Sequence, residues 1–147
     1  MGASSPFALC MSKPTLLFYD TCFYIDVFRG RIGEHETPQG PFLVVAHTLV
    51  LMELWQGVRR SGEERAIQDL EGSLSLIGAS LQNYLDAGRI LRKMSERKWL
   101  RSHRLYETQN DVLLALSAVE NNSWIVTANR RDFDKIRVFC PVPVIYY

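Results

Sequence analysis

The sequence has few of the features that mark secreted, membrane-bound or zinc-binding proteins. Its three cysteines, Cys10, Cys22 and Cys140, are odd in number and far apart, and none belongs to a CxxC pair. This spacing argues against a disulfide framework and against a zinc site. No apolar run reaches the roughly 20 residues of a membrane helix, and the N-terminus lacks a basic segment followed by an apolar one. We therefore expect a protein of the reducing cytoplasm that does not enter a membrane.

The sequence also lacks a large excess of charge of either sign, and it lacks the motifs of catalytic nucleophiles. The chain has 17 Lys and Arg against 16 Asp and Glu, so any nucleic-acid binding must come from local patches. No GxSxG motif occurs, and His35, His47 and His103 lie in separate segments without a partner pattern. We expect these histidines to be surface or capping residues. The sequence gives no sign of covalent catalysis.

The chain is long enough to close one hydrophobic core. It has 147 residues, of which 47% are hydrophobic, and it contains no repeat or low-complexity segment. We predict a single domain over residues 14–147. Residues 1–13 are predicted to form a poorly ordered N-terminal extension.

Short apolar runs alternate with helical patterns along the chain, which is typical of a parallel sheet covered by helices. The predicted strands are 15–19, 42–45, 74–77, 124–127 and 142–146. Thr48 is predicted to cap a helix, and Tyr84, Ala87, Gly88, Leu91 and Met94 are predicted to form the buried face of another. Asn110 is predicted to cap a helix that opens at Asp111.

Four carboxylates occupy conspicuous places in these elements. Asp20 directly follows the first strand, and Asp132 follows the fourth. Glu53 interrupts an otherwise apolar helical stretch, and Asp111 opens a helix. Open parallel sheets place functional residues at the carboxyl ends of their strands, so we expect the four to converge.

A purely structural role competes with this interpretation. An acidic residue at a helix start is most often a cap or a dipole partner, and for Asp111 and Asp132 that alternative stays open at this point. Glu53 is harder to explain in this way. A carboxylate buried without a partner costs several kcal/mol, so Glu53 requires one.

Four segments resemble the PIN-domain ribonucleases, and within them the VapC-like toxins of type II toxin-antitoxin pairs. The segments are LLFYDTCFYID at 16–26, AHTLVLMELWQG at 46–57, NDVLLALSA at 110–118 and VTANRRDF at 126–133. Their order and spacing carry the resemblance, which spans roughly residues 14–146. It implies a three-layer α/β/α sandwich with a central parallel sheet of four or five strands.

The resemblance also implies the site residues. The acidic quartet of the family falls on Asp20, Glu53, Asp111 and Asp132, which would be both catalytic residues and metal ligands. Thr21 and Asn129 match supporting positions. The chain departs from the family at Cys22, where Asn or Ser is common, and this departure bears on a polar contact near the site.

The chemistry of such a site suits a hard divalent cation. Mg²⁺ and Mn²⁺ take oxygen ligands, keep several waters and bind substrate phosphate. Together with this chemistry, the resemblance implies metal-dependent endoribonuclease activity in a toxin. Basic residues near the site would hold the RNA phosphates, with Arg104, Arg130 and Arg131 as the main candidates and Arg59, Arg60 and Arg101 as further ones. The resemblance also implies a VapB-like antitoxin and a homodimer as partners.

Two alternatives belong to other classes. The first is a catalytically idle PIN-like module that binds RNA or serves as a scaffold, although an idle site has no reason to keep four mutually repelling carboxylates. The second is a phosphotransfer domain, either a receiver or a DxD phosphatase. Receivers need paired acids after the first strand and the phosphatases need a second aspartate two residues on, whereas this chain has Asp20-Thr21-Cys22.

Overall fold

The computed structural model describes residues 14–33 and 37–147. The predicted extension at residues 1–13 and the predicted surface residue His35 lie outside the described residues. The central sheet has five strands, all paired in parallel. Their bounds are β1 (Thr15–Tyr19), β2 (Phe42–His47), β3 (Leu76–Ile77), β4 (Ser123–Thr127) and β5 (Val144–Tyr146). The spatial order is β3-β2-β1-β4-β5, which puts β1 at the centre.

The central strands are apolar because both of their faces are covered. Leu17 and Phe18 on β1 and Ile125 and Val126 on β4 are all buried. Strands of a parallel sheet covered on both sides have near-continuous apolar sequences, as these do. The five predicted strands are confirmed with small shifts in their bounds: β2 continues to His47, and β3 is shorter than predicted.

Six helices cover the sheet in the described part of the chain, and the predicted three-layer α/β/α architecture is confirmed. Their bounds are α1 (Thr21–Phe28), α2 (Thr48–Gln56), α3 (Glu63–Ser73), α4 (Leu81–Glu96), α5 (Leu105–Glu120) and α6 (Arg130–Ile136). Within residues 14–33 and 37–147, no helix is both long and apolar enough to cross a membrane.

Two predicted helix caps are wrong. The N-cap of α2 is His47 rather than Thr48, because the His47 Nδ1 accepts a hydrogen bond from the Leu49 N–H at 3.2 Å. Helix α5 begins at Leu105, so Asn110 and Asp111 lie inside it and neither opens it. The segment before Asn110 contains no Gly or Pro that would stop the helix, and its polar residues hid the extra turn.

The predicted buried face of α4 is also partly wrong. Ala87 and Met94 are buried as predicted, but they are joined by Asn83 and Ile90. Tyr84 is exposed over about half of its surface (52%). The Asn83 side chain completes a capping box with Ser80, and this polar role concealed its place on the buried face.

Candidate active site

Asp20 lies at the centre of the sheet edge where β1 ends. Its backbone N–H extends the pairing with β4 by donating to the Val126 carbonyl at 3.0 Å. Its carboxylate caps α1, accepting from the Thr21 N–H at 2.7 Å, and accepts from the Thr127 hydroxyl at 2.7 Å. The side chain is buried, with 6% of its surface exposed. A cap and a cross-strand hydrogen bond therefore fix this carboxylate in place.

Cys22 stands where a polar residue was expected, and it makes polar contacts. Its sulfur lies 3.5 Å from the Asp20 Oδ2 and 3.5 Å from the Thr127 hydroxyl. Burial, together with the negative charge of Asp20, raises the pKa of the Cys22 thiol. The thiol therefore stays protonated near neutral pH and acts as a weak donor to Asp20.

Glu53 has the partners that its apolar surroundings require. The Thr21 hydroxyl donates to the Glu53 Oε2, and the Asn110 side-chain amide donates to its Oε1 at 2.7 Å. These bonds join α1, α2 and α5 at one carboxylate. Asn110 is thus a partner of Glu53 rather than a helix cap, a role that sequence reasoning missed because the two residues are far apart in the chain.

Asn129 connects the remaining two acids. Its amide nitrogen lies 3.3 Å from the Asp111 Oδ2 and 3.1 Å from the Asp132 Oδ2. Its side-chain oxygen caps α6 by accepting from the Asp132 N–H at 3.4 Å. The Asn129 N–H in turn donates to the Thr127 hydroxyl at 3.0 Å. One amide side chain therefore starts a helix and bridges two carboxylates.

Asp20, Glu53, Asp111 and Asp132, which we call the acid cluster, influence one another electrostatically. The pKa of Asp111 is raised well above its usual value, first by burial and then by the charges of the other three acids. The pKa of Asp20 is raised by burial and less so by the charge of Glu53, against the hydrogen bonds from Thr127 and Thr21. The negative charges of the acid cluster therefore repel one another, and a cation beside them reduces that repulsion.

Arg104 and Arg130 have protein partners, whereas Arg131 is exposed. The Arg104 guanidinium contacts the Asp132 Oδ2 at 3.0 Å and the Glu107 Oε2 at 2.8 Å. The Arg130 guanidinium lies 4.1 Å from the centre of the Tyr146 ring. Arg131 lines a pocket next to Asp132. Arg104 therefore already serves as a partial counter-ion for the acid cluster.

Comparison with known proteins identifies the fold. The sequence matches no protein-family model and no curated protein. It is similar in structure to VapBC-1 of nontypeable Haemophilus influenzae, with a TM-score of 0.67 and 16% identity over 90% of this chain and 98% of the other. A similar match is VapBC2 of Rickettsia felis bound to a promoter DNA fragment, with a TM-score of 0.64 and 16% identity over 90% of this chain and 99% of that one.

A third solved structure agrees with these two. VapBC-5 of Mycobacterium tuberculosis, a member of the VapBC family of toxin-antitoxin systems, gives a TM-score of 0.61 and 17% identity over 91% of this chain and 100% of the other. The chain has a PIN-like fold. At these levels of identity the similarity establishes the architecture, and the chemistry of the site has to be argued from its own residues.

The PIN-like fold brings oxygen donors together that suit a hard cation by type. Carboxylate oxygens are the ligands that Mg²⁺ and Mn²⁺ prefer, and Mg²⁺ commonly uses only one or two of them together with waters and substrate phosphate. In residues 14–33 and 37–147, no three His, Cys, Asp or Glu side chains are grouped so as to hold a metal ion together. What the acid cluster offers a hard cation is therefore its type of donor atom, the carboxylate oxygen.

Thr127 was missed by sequence reasoning. It ends β4, is fully buried, and its hydroxyl contacts Asp20 and the Asn129 backbone. The signal for it is a hydroxyl residue at the last position of an apolar strand, where a buried polar group needs partners. Thr127 therefore links Asp20 to the residue that holds Asp111 and Asp132.

Proposed function

We propose that this protein is a metal-dependent endoribonuclease that acts as the toxin of a toxin-antitoxin pair. One observation carries the proposal. Four carboxylates from separate segments lie in a hydrogen-bonded network at the carboxyl ends of β1 and β4. A stable domain gains nothing from gathering like charges there, so a cationic ligand supplies the reason.

The metal would take one or two protein ligands from among Asp20, Glu53, Asp111 and Asp132. A bound Mg²⁺ or Mn²⁺ supplies a water of lowered pKa and neutralises charge on the phosphate oxygens. The chain provides the orientation. Thr21 and Asn110 fix Glu53, Thr127 fixes Asp20, and Asn129 fixes Asp111 and Asp132, so that each carboxylate presents a defined direction to its ligand.

RNA is the proposed substrate, and a single strand or loop is the proposed form. Only unpaired nucleotides bend into a compact cleft between helices. Arg130 and Arg131 at the start of α6 are exposed and precede Asp132 in the chain, and we expect them to contact the phosphates. Contacts of this kind position a strand without reading its sequence.

An antitoxin and a second copy of the chain are the proposed protein partners. VapBC-5 of Mycobacterium tuberculosis is by name a member of a family of toxin-antitoxin systems, which supports the first. The Arg104–Asp132 ion pair gives physical support, because a guanidinium already sits against the acid cluster. We expect an antitoxin to place an Arg or Lys side chain near the same carboxylates.

Brief expression of the wild type and of Asp20→Asn tests the proposal. The wild type should slow growth and produce new internal RNA 5′ ends, whereas Asp20→Asn should do neither. Asp86→Asn, at a half-buried residue paired with Arg89 on α4, is the matched control and should behave like the wild type. Identical 5′ ends in all three cultures would contradict the nuclease assignment.

The antitoxin assignment has a separate test. The product of a small open reading frame beside this gene should bind the protein and relieve its toxicity. If no neighbouring product does so, the toxin-antitoxin assignment fails and the nuclease assignment stands. An idle RNA-binding or scaffold module, the alternative, would bind RNA without producing new ends.

A further inference from the structure

A basic pocket lies next to the acid cluster, between α5, α6 and the segment that joins α4 to α5. Its lining includes Trp99, Arg101, Arg104, Thr108, Arg131 and Lys135. It shares Asp132 with the acid cluster. We propose that this pocket binds an RNA backbone phosphate next to the one held at the acid cluster. The identity of the ligand as RNA rests on the proposed function.

The charge of the basic pocket calls for an anion. Four cationic side chains face one carboxylate, and Arg101, Arg131 and Lys135 form no ion pair within the described residues. Arg89 and Arg92 on α4, by contrast, each have an acidic partner on their own helix. Cations gathered without partners repel one another, and a phosphate relieves that repulsion.

Arg104 connects the pocket to the acid cluster. Its Nε contacts Glu107 and one terminal nitrogen contacts Asp132, while a guanidinium has five N–H donors in a planar fork. Donors therefore remain for a phosphate while both ion pairs persist. A phosphate bound by Arg104 in the pocket would lie beside Asp132, as expected for a neighbour of the scissile phosphate.

Trp99 places an aromatic ring beside the cations of the pocket. Its half-buried ring lies in the pocket wall, with the Arg97 guanidinium 4.9 Å from its centre. Base stacking on aromatic rings is tolerant of sequence and contributes to single-strand binding. The buried residue Thr108 adds a side-chain hydroxyl to the lining.

Trp99 also provides the readout. In a Trp55→Phe/Trp124→Phe background, Trp99 is the one remaining tryptophan of the chain. The probe is a short single-stranded RNA with every 2′-hydroxyl methylated, added in chelator so that neither metal nor cleavage contributes. We expect saturable quenching of the Trp99 fluorescence. No quenching at millimolar probe would overturn the proposal.

Variants that each remove one positive charge test which residues contact the RNA probe. Arg101→Ala and Arg131→Ala should each weaken binding of the probe about five- to tenfold and lower its salt dependence by about 0.7 per lost phosphate contact. Arg89→Ala and Arg92→Ala are matched controls that remove one charge each from α4. Equal weakening by all four variants would overturn the pocket, because it would indicate only a general loss of positive charge.

Two further results separate this inference from the function on which it rests. If the wild type and the Arg101 and Arg131 variants cleave RNA with the same KM, the proposal that the basic pocket binds a phosphate is wrong. The proposal of nuclease activity then holds. If the wild type binds the probe at Trp99 but cleaves no RNA with Mg²⁺ or Mn²⁺, the nuclease is wrong and the pocket stands. Tighter binding of an acidic peptide than of the RNA probe would make the pocket a protein-docking site and overturn the proposal.

Discussion

Replacing Asp111 by Asn removes one negative charge from the acid cluster with almost no change of shape. The amide oxygen can still accept the hydrogen bond that Asn129 donates to Asp111 at 3.3 Å. Asp111 lies inside α5, so the change removes no helix cap. The variant therefore isolates the electrostatic role of this carboxylate from its role in packing.

The magnitude follows from Coulomb's law. Two unit charges ~5 Å apart repel by roughly 1 kcal/mol in water and by about 3 kcal/mol at an effective dielectric constant near 20. The negative charges of Asp20, Glu53 and Asp132 repel that of Asp111, and the positive charge of Arg104 offsets part of this repulsion. We expect the metal-free variant to gain about 1 kcal/mol or more in its free energy of unfolding at pH 7. For a domain of this size that gain raises Tm by about 2–4 °C.

The pH dependence gives a second measure of the same effect. Because folding raises the pKa of Asp111, its protonation stabilises the folded state. That stabilisation is fully present below the unfolded-state pKa of about 3.9 and is lost as the pH rises through the folded-state pKa. The advantage of Asp111→Asn over the wild type should therefore be largest at neutral pH and should shrink on acidification.

The assay is a set of melting curves with chelator from pH 4 to 7.5, repeated with Mn²⁺ at pH 7 and paired with RNA cleavage. Mn²⁺ should raise the Tm of the wild type much more than that of Asp111→Asn, because a ligand stabilises according to its affinity. Asp86→Asn on α4 is the control and should follow the wild type throughout. An active Asp111→Asn protein with an unchanged Mn²⁺ shift would refute the reasoning.

Three further predictions test other parts of the structure. Burial lowers the pKa of His47 to about 4. The folded state should therefore lose up to about 3 kcal/mol of stability as the pH falls from about 6.5 towards 4. Over that range the Tm of the wild type should fall relative to that of His47→Asn. Phe133→Ala empties a fully buried site and should cost about 3–5 kcal/mol in urea unfolding, whereas Val138→Ala, at an exposed position, should change stability by less than about 0.5 kcal/mol. Cys22→Ser keeps a donor to Asp20 and should retain Mn²⁺ affinity in calorimetry, whereas Cys22→Val should weaken it.

The parts of the fold that the sequence predicts are those with strong local patterns. Strands β1 and β4 have continuous apolar runs between polar ends, so their bounds were predicted to within one residue. Helix α5 begins earlier than predicted, and its start was missed because no side-chain cap marks it. The predicted buried face of α4 omits Asn83 for a related reason, since a buried polar residue breaks the apolar pattern.

The candidate site shows the same division. The segments carrying Asp20, Glu53, Asp111 and Asp132 were identified from short motifs, since each carboxylate follows a strand, precedes an apolar helical run or interrupts one. Their partners depend on tertiary contacts that no local pattern encodes. The bond from Asn110 to Glu53, the bond from Thr127 to Asp20 and the ion pair between Arg104 and Asp132 each join distant segments.

Cleavage of single-stranded RNA by the purified protein, with and without a divalent metal, tests the central claim most directly. The wild type should cut a labelled RNA with Mg²⁺ or Mn²⁺, should stop when excess EDTA is added and should resume when the metal is restored. Asp20→Asn should remain inactive under all three conditions, and Asp86→Asn should match the wild type. Cleavage at full rate in excess EDTA, or equal cleavage by Asp20→Asn, would contradict a metal-dependent nuclease built on the acid cluster.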